Sequence, residues 1–335
     1  MRPPVVDSHA HVFPEISRAE GRALGVADEP WLRRDADGAG MMMTGGAEYR
    51  PVTAGLWDPA ERLAAMEATG VDVQVVSSTP LMFGYDAPAD RAADWCALVN
   101  ERILAHCAAA PERLVPLCQV PLQDVDLACE TVTAAVAAGH HGVHIGNHVG
   151  TDYLDDGAMV EFLTHCAQVG APVLVHPWDM LGADRMAGHM LPWLVGMAAE
   201  TQLTMLRLAL SGAFDRLPES LRLCFAHGGG SFPYLLGRAD NAWHRRDLVR
   251  ADSAKPPSGY LDRFTVDSAV FDPRALRLLV EVMGADRVLL GSDYPFPLGE
   301  ETPGDVVRAG IASPGDRDLI LGGNAVGFFD LKGNR

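Results

Sequence analysis

Val5-Val6-Asp7-Ser8-His9-Ala10-His11, near the start of the sequence, pairs a β-branched run with two closely spaced histidines. Residues two apart on an extended chain point to the same face, so His9 and His11 can present two imidazoles to one ion from the end of a strand near residues 3–7. A lone His-x-His is a weak signal, but three more strand-like runs end in the same way. Val173-Leu174-Val175-His176 leads into Pro177-Trp178-Asp179. Residues 221–227 (LRLCFAH) end at His227 and run into Gly228-Gly229-Gly230, and residues 288–293 (VLLGSD) end at Asp293 before Tyr294-Pro295. Four strands therefore each deliver a ligand-type or acid–base side chain at a C-terminal edge, the place where parallel barrels put their active sites.

Working outward from these runs, apolar or β-branched stretches recur near 3–7, 71–76, 113–119, 141–146, 172–176, 221–226, 263–267 and 286–291, with helix-like segments between them. Asp58 caps a helix that has Pro59 at its first position and Gly70 beyond its end; 124–138 and 155–169 carry apolar residues at helical spacing and are followed by Gly139 and Gly170. This alternation predicts an α/β fold, a (β/α)8 TIM barrel forming one domain over residues 1–335. A doubly wound open sheet is the competing architecture. Eight units with ligand-type residues on both the first and the last strand favour closure, because only a closed barrel sets those strands side by side. Residues 14–50 are polar and glycine-rich without helical period, and read as an insertion over the barrel mouth, a small β-hairpin lid.

Composition excludes several roles. The 335 residues carry 27 Lys and Arg against 44 Asp and Glu, a net charge of −17 that disfavours nucleic acid or an anionic membrane as partner. No stretch approaches the roughly 20 apolar residues of a membrane span, and no export signal is read. The six cysteines form no CxxC pair, which suits reduced thiols in the cytoplasm.

The strand-end set resembles the amidohydrolase superfamily: His-x-His after strand one, His after strands five and six, Asp after strand eight. Residues 57–76 (WDPAERLAAMEATGVDVQVV), 176–180 (HPWDM), 191–203 (LPWLVGMAAETQL), 227–243 (HGGGSFPYLLGRADNAW) and 291–300 (GSDYPFPLGE) are similar to the 2-amino-3-carboxymuconate-6-semialdehyde decarboxylase family within it. The resemblance implies one divalent ion per chain, zinc foremost with manganese or cobalt as alternatives, held by His9, His11, His176 and Asp293, with His227 and Asp293 in catalysis. It implies Arg50 and Arg238 on the substrate carboxylates, Arg238 reaching in from the second subunit of a homodimer, and Met180, Trp193 and Phe296 along the pocket. The reaction implied is metal-dependent, non-oxidative loss of CO2 from that semialdehyde, as in tryptophan catabolism by the kynurenine route or in nitrobenzoate-type catabolism. At Gly45-Gly46-Ala47 the chain departs from relatives that carry a basic residue there.

Three neutral imidazoles and one carboxylate leave a singly positive site with room for a water, beside which a histidine can take and return a proton. The strand-four region, His144-Ile145-Gly146-Asn147-His148, lacks the lysine that bridges two metals in binuclear members, so a second ion is not expected and both histidines are assigned to a polar rim. Two enzymatic alternatives stay open, a hydroxybenzoate decarboxylase and a hydrolase of the same superfamily. A barrel that binds metal or ligand without catalysis is the third.

Overall fold

The computed structural model describes residues 3–26, 28–35 and 38–331. In chain order the elements are β1 (Val6–Val12), α1 (Arg18–Ala23), β2 (Pro30–Arg34), β3 (Ala39–Thr44), β4 (Ala47–Thr53), α2 (Pro59–Thr69), β5 (Val73–Ser78), α3 (Ala89–Cys107), β6 (Leu114–Pro116), α4 (Val125–Ala138) and β7 (Val143–Gly146). There follow the short pair β8 (His148–Val149) and β9 (Asp152–Tyr153), α5 (Gly157–Gln168), β10 (Val173–His176), α6 (Met197–Leu210), α7 (Ala213–Arg216), β11 (Leu223–Phe225) and α8 (Phe232–Arg245). The chain ends with β12 (Thr265–Asp267), α9 (Pro273–Met283), β13 (Val288–Leu289), α10 (Asp305–Gly310), α11 (Pro314–Asp318) and α12 (Asn324–Phe328).

Strands β1, β5 and β6 form one parallel set; β7, β10, β11, β12 and β13 form another, each neighbour following in chain order. Single parallel bridges join the sets at both margins, Cys118 to Val143 and Ala10 to Tyr294. Backbone hydrogen bonds from Ser8 N to Leu290 O (2.7 Å), His11 N to Tyr294 O (2.7 Å) and Asp293 N to His9 O (2.9 Å) stitch the first strand to the last. Sequential neighbours of this kind are not those of a doubly wound sheet, in which strand order reverses at a switch point.

The helix signals hold where the sequence placed them. Asp58 accepts a hydrogen bond from Ala60 N, Asp124 accepts one from Leu127 N, and Gly70 and Gly139 end their helices in the left-handed region. Two expectations need correction. The first strand is not 3–7 but Val6–Val12, every residue buried, so His9 and His11 lie within it rather than at its end. Residues 14–50 do contain a helix, α1, closed by a reciprocal capping box between Ser17 and Glu20. The sheet beyond it has three antiparallel strands, β2-β3-β4, and runs to Thr53. No described helix is long and apolar enough to cross a membrane.

Beneath the strand ends the interior is apolar. Val6, Val75, Val115, Leu174, Cys224 and Leu289, from six of the eight parallel strands (β1, β5, β6, β10, β11 and β13), make a cluster closed off by Phe328 and Phe329. Above it lies a buried polar chain. The Asp7 carboxylate accepts from Ser292 N (3.0 Å), Ser292 Oγ (2.6 Å) and Gln74 Nε2 (2.8 Å). Arg62 Nη1 donates to Gln74 Oε1 (2.6 Å), and its Nη2 donates to Gly55 O (3.1 Å) and to the carbonyl of His11. Arg62 thus reaches the backbone of the strand that carries both histidines. Replacing it with Met strips the donor from three buried oxygens, each costing about 1–3 kcal/mol when left unpaired. Arg62→Met should lower unfolding free energy by about 3 kcal/mol or more in urea titrations; an unchanged midpoint would mean that water substitutes for the guanidinium.

Candidate metal centre

Three of the histidines have one ring nitrogen already committed. His9 Nδ1 lies 2.7 Å from Asp267 Oδ2, His11 Nδ1 3.2 Å from Ser78 O, and His176 Nδ1 2.9 Å from Pro177 O. Each Nδ1 donates its proton to that oxygen, which leaves each Nε2 with a lone pair to offer. His9 Nε2 and His11 Nε2 are 3.1 Å apart; Asp293 Oδ1 is 3.2 Å from the latter and 3.6 Å from the former. Ligand atoms of a tetrahedral ion with bonds of roughly 2.0–2.1 Å sit roughly 3.3 Å from one another, so this donor set fits a divalent cation.

His9, His176, His227 and Asp293 can each place one ligand atom within 4.8 Å of all the others, and His11 joins them through His9 and Asp293. The structure therefore brings together all four expected ligands and His227. His227 Nε2 lies 3.7 Å from Asp293 Oδ2, and its Nδ1 is buried without a partner.

The electrostatics follow from this crowding. Burial holds His11 below the ordinary histidine value; His176 falls well below it, through burial and the neighbouring His227, His11 and His9. Burial opposes a charge on His9 too, but the hydrogen bond and charge of Asp267, with Asp293 and Asp7, raise it to about 9. Asp293 stays well below the usual carboxylate range despite burial, through hydrogen bonds with His11 and His227 and the charge on His9. The protein alone thus concentrates one positive charge at the point where its lone pairs converge. A cation binding there displaces that proton, so its affinity falls in acid.

Backbone geometry supports the same point. His227 (φ 55°) and Asp293 (φ 62°) adopt the left-handed region, unusual for residues with a Cβ and typical of functional sites. The glycines after His227 allow its sharp turn: a Cβ on Gly230 would sit 2.3 Å from Ala198 O. Asp267 escaped the sequence reading, although it ends Thr265-Val266-Asp267 just as His176 ends Val173–His176. Besides orienting His9 it accepts from Gly228 N (2.9 Å), so one buried carboxylate sets both His9 and the turn that follows His227.

A cavity of about 450 Å³ opens over His176, His227 and Asp293, lined also by Tyr49, Arg50, Thr79, Met180, Trp193 and Phe296. The Arg50 guanidinium lies 5.2 Å from the Trp193 ring and 5.1 Å from the Phe296 ring, and its Nη2 is buried with no partner. Arg50, Met180, Trp193 and Phe296 all line this cavity. Arg238, expected to act from a second subunit, is exposed on α8 and does not line the cavity of its own chain. Nor do His144 and His148 form a rim, since both are buried. His144 has no hydrogen-bond partner on either nitrogen, and its ring lies 5.8 Å from His11 and 5.6 Å from His176.

Comparison with known proteins agrees with this geometry. The amidohydrolase family profile matches residues 6–331. The chain is 37% identical over 333 residues to 2-amino-3-carboxymuconate-6-semialdehyde decarboxylase of Dictyostelium discoideum, covering 98% of this chain and 92% of that one. It is 33% identical to the enzyme of the same name from Caenorhabditis elegans, over 98% and 95% of the two chains. Its fold also matches a dihydroxybenzoic acid decarboxylase from Polaromonas sp. JS666, solved with manganese and the inhibitor 2-nitroresorcinol, with a TM-score of 0.78 at 21% identity over 99% of this chain and 98% of that one. Agreement that runs almost from end to end with decarboxylases, together with a donor set built for a divalent ion, means that the chain belongs to the amidohydrolase family, among its metal-dependent decarboxylases.

Proposed function

We propose that this chain removes CO2 from 2-amino-3-carboxymuconate 6-semialdehyde, giving 2-aminomuconate 6-semialdehyde. In this reading the closed ring of strands is a (β/α)8 barrel in one domain. One zinc ion per chain is held by His9, His11, His176 and Asp293, and residues 14–53 form a lid. The observation that carries the proposal is Arg50, a guanidinium with an unspent donor among the described residues, set against the rings of Trp193 and Phe296 in the cavity beside the ligand set. A planar fork of this kind binds a carboxylate bidentately, which orients a flexible dianion. The names of the two curated relatives supply the substrate.

A divalent ion at this site supplies Lewis-acid polarisation of a substrate oxygen. The rest falls to the chain's own residues. Arg50 grips a carboxylate while Met180, Trp193 and Phe296 exclude water around the conjugated chain. As the carbon–carboxylate bond breaks, its electron pair passes to the substrate carbon and CO2 leaves. That carbon takes one proton, which His227 is placed to deliver from the cavity wall beside Asp293. Arg238 would complete substrate binding from a second subunit, the active form being a homodimer. Six free thiols, five of them buried, suit a cytoplasmic enzyme in this route of tryptophan catabolism.

Three measurements test these assignments. Purified protein should carry one equivalent of zinc by elemental analysis and turn over the semialdehyde in preference to a hydroxybenzoate, with turnover lost on chelation and restored by the ion; the reverse preference would move the chain to the aromatic-acid branch. His227→Ala should keep its ion but lose about 10²- to 10⁴-fold in kcat. Unchanged turnover removes His227 from the mechanism, and loss of the ion makes it a ligand. Arg50→Ala and Arg238→Ala chains, each inactive alone, should recover activity when mixed and allowed to exchange subunits. No recovery despite exchange refutes a shared site.

A further inference from the structure

Behind the cavity wall lies a buried pair that the chemistry above does not use. The ring of His148, on β8, has an oxygen facing each nitrogen: Gly150 O is 2.9 Å from Nδ1 and Asp179 O is 3.2 Å from Nε2. A neutral imidazole carries one N–H, so one of these contacts would set lone pair against lone pair; only the imidazolium satisfies both. The counter-charge is at hand, for Glu200 Oε1 lies 3.7 Å from Nε2 and both side chains are almost wholly buried. The other carboxylate oxygen, Glu200 Oε2, accepts from Leu181 N at 3.0 Å. The two backbone groups on either side of Met180, the carbonyl of Asp179 and the N–H of Leu181, are therefore held by the two members of one ion pair.

Met180 is a cavity residue, and its backbone needs support. Asp179, just before it, has φ 51° in the left-handed region, a strained choice for a residue with a Cβ. Met180 also packs tightly on Gly196, where an added Cβ would fall 3.0 Å from the Met180 Cβ. Gly196 leads directly into α6, which carries Glu200, and it follows the turn with Trp193, the ring over Arg50. We propose that His148 and Glu200 are positioning residues: an imidazolium–carboxylate clamp on Asp179-Met180-Leu181 that fixes Met180 and Trp193 against the substrate.

The clamp has few other charged neighbours. Tyr153 stacks on His148 at 5.0 Å, Arg207 lies 4.5 Å from the Tyr153 ring and hydrogen-bonds Asp155 at 2.7 Å, and the Asp179 side chain completes the surround. Burial holds the Glu200 carboxyl above the ordinary carboxylate value, and the charge on His148 and the Leu181 N–H offset this only in part.

The assignment rests on the decarboxylase reading only for its kinetic arm. In the metal-loaded enzyme, His148→Phe keeps the stack on Tyr153 and removes both donors; Glu200→Ala removes the carboxylate. Each should retain its ion and a kcat within about threefold, raise KM for the semialdehyde about tenfold, and speed amide exchange at 179–181 by about tenfold or more, the loss expected of a charge-assisted hydrogen bond. The double variant should match either single one, because the pair acts as a unit. Glu200→Gln, nearly isosteric, keeps an acceptor for Leu181 and should fall between the Ala variant and the unaltered enzyme, which guards against misfolding of the others. Unchanged exchange at 179–181 in folded, metal-loaded protein overturns the clamp, as do additive effects in the double variant. Should the unaltered enzyme fail to turn over the semialdehyde, the decarboxylase reading falls, while the exchange rates still decide the clamp.

Discussion

Three imidazole lone pairs point into one small volume, and the hydrogens that could satisfy them are spent elsewhere, on Asp267, on the carbonyl of Ser78 and on that of Pro177. Lone pairs 3.1 Å apart in a buried setting repel, and a proton on His9 or a cation between them relieves that repulsion. The rest of the architecture serves to hold this arrangement in place. His9 and His11 can converge with Asp293 only because the first strand lies against the last, stitched by backbone hydrogen bonds between 8–11 and 290–294. The buried chain of Arg62, Gln74, Asp7 and Ser292 crosses the same seam one layer below. Without that layer β1 could slide, and a slip of one residue would turn both histidines to the other face.

Much of this was legible because its signals are local. A strand places i and i+2 on one face, so His9 and His11 announce themselves. Asp58, Asp124, Gly70 and Gly139 mark helix ends by side-chain chemistry that needs no tertiary context. The capping box of Ser17 and Glu20 is a signal of the same kind, overshadowed by the polar, glycine-rich stretch around it. Tertiary partners were harder to read. Asp267 sits 258 residues from His9, and nothing near it in sequence states that its carboxylate faces an imidazole. His144 and His148 looked like rim residues because polar side chains usually are exposed, yet the fold buries both. Arg238 was placed at the substrate by resemblance, and within one chain it is simply exposed.

The cavity also shows how a protein of net charge −17 can attract an anion. Global charge acts over distances that salt screens within about 8 Å at physiological ionic strength, whereas Arg50 acts in contact and in a partly desolvated site. Among the described residues its guanidinium has no carboxylate partner. Instead Trp193 and Phe296 offer ring faces at 5.2 and 5.1 Å, which stabilise the cation without neutralising it. A salt bridge at the same position would have consumed the donor that an incoming carboxylate needs. Aromatic support therefore does for Arg50 what an acidic neighbour could not.

Metal binding and substrate binding consequently rest on different parts of the chain. The ion's donors come from strands or the residues just past them, locked by hydrogen bonds that cross the ring of strands. The cavity wall comes from three separate segments: β4 with Arg50, the segment after β10 with Met180 and Trp193, and the turn after Asp293 with Phe296. The Trp193 and Phe296 rings both meet the Arg50 guanidinium, so a small shift in either connection changes how that guanidinium is presented while the donor set stays put. Phe296 is the exception that couples the two, since its ring also lies 5.3 Å from that of His11. A substitution there would disturb a ligand and the arginine together, whereas the walls formed by Met180 and Trp193 can change with the ion's surroundings left intact. Change in the cavity is therefore easiest through the β2-β3-β4 sheet and the loop after β10, and hardest at the residues that touch both layers.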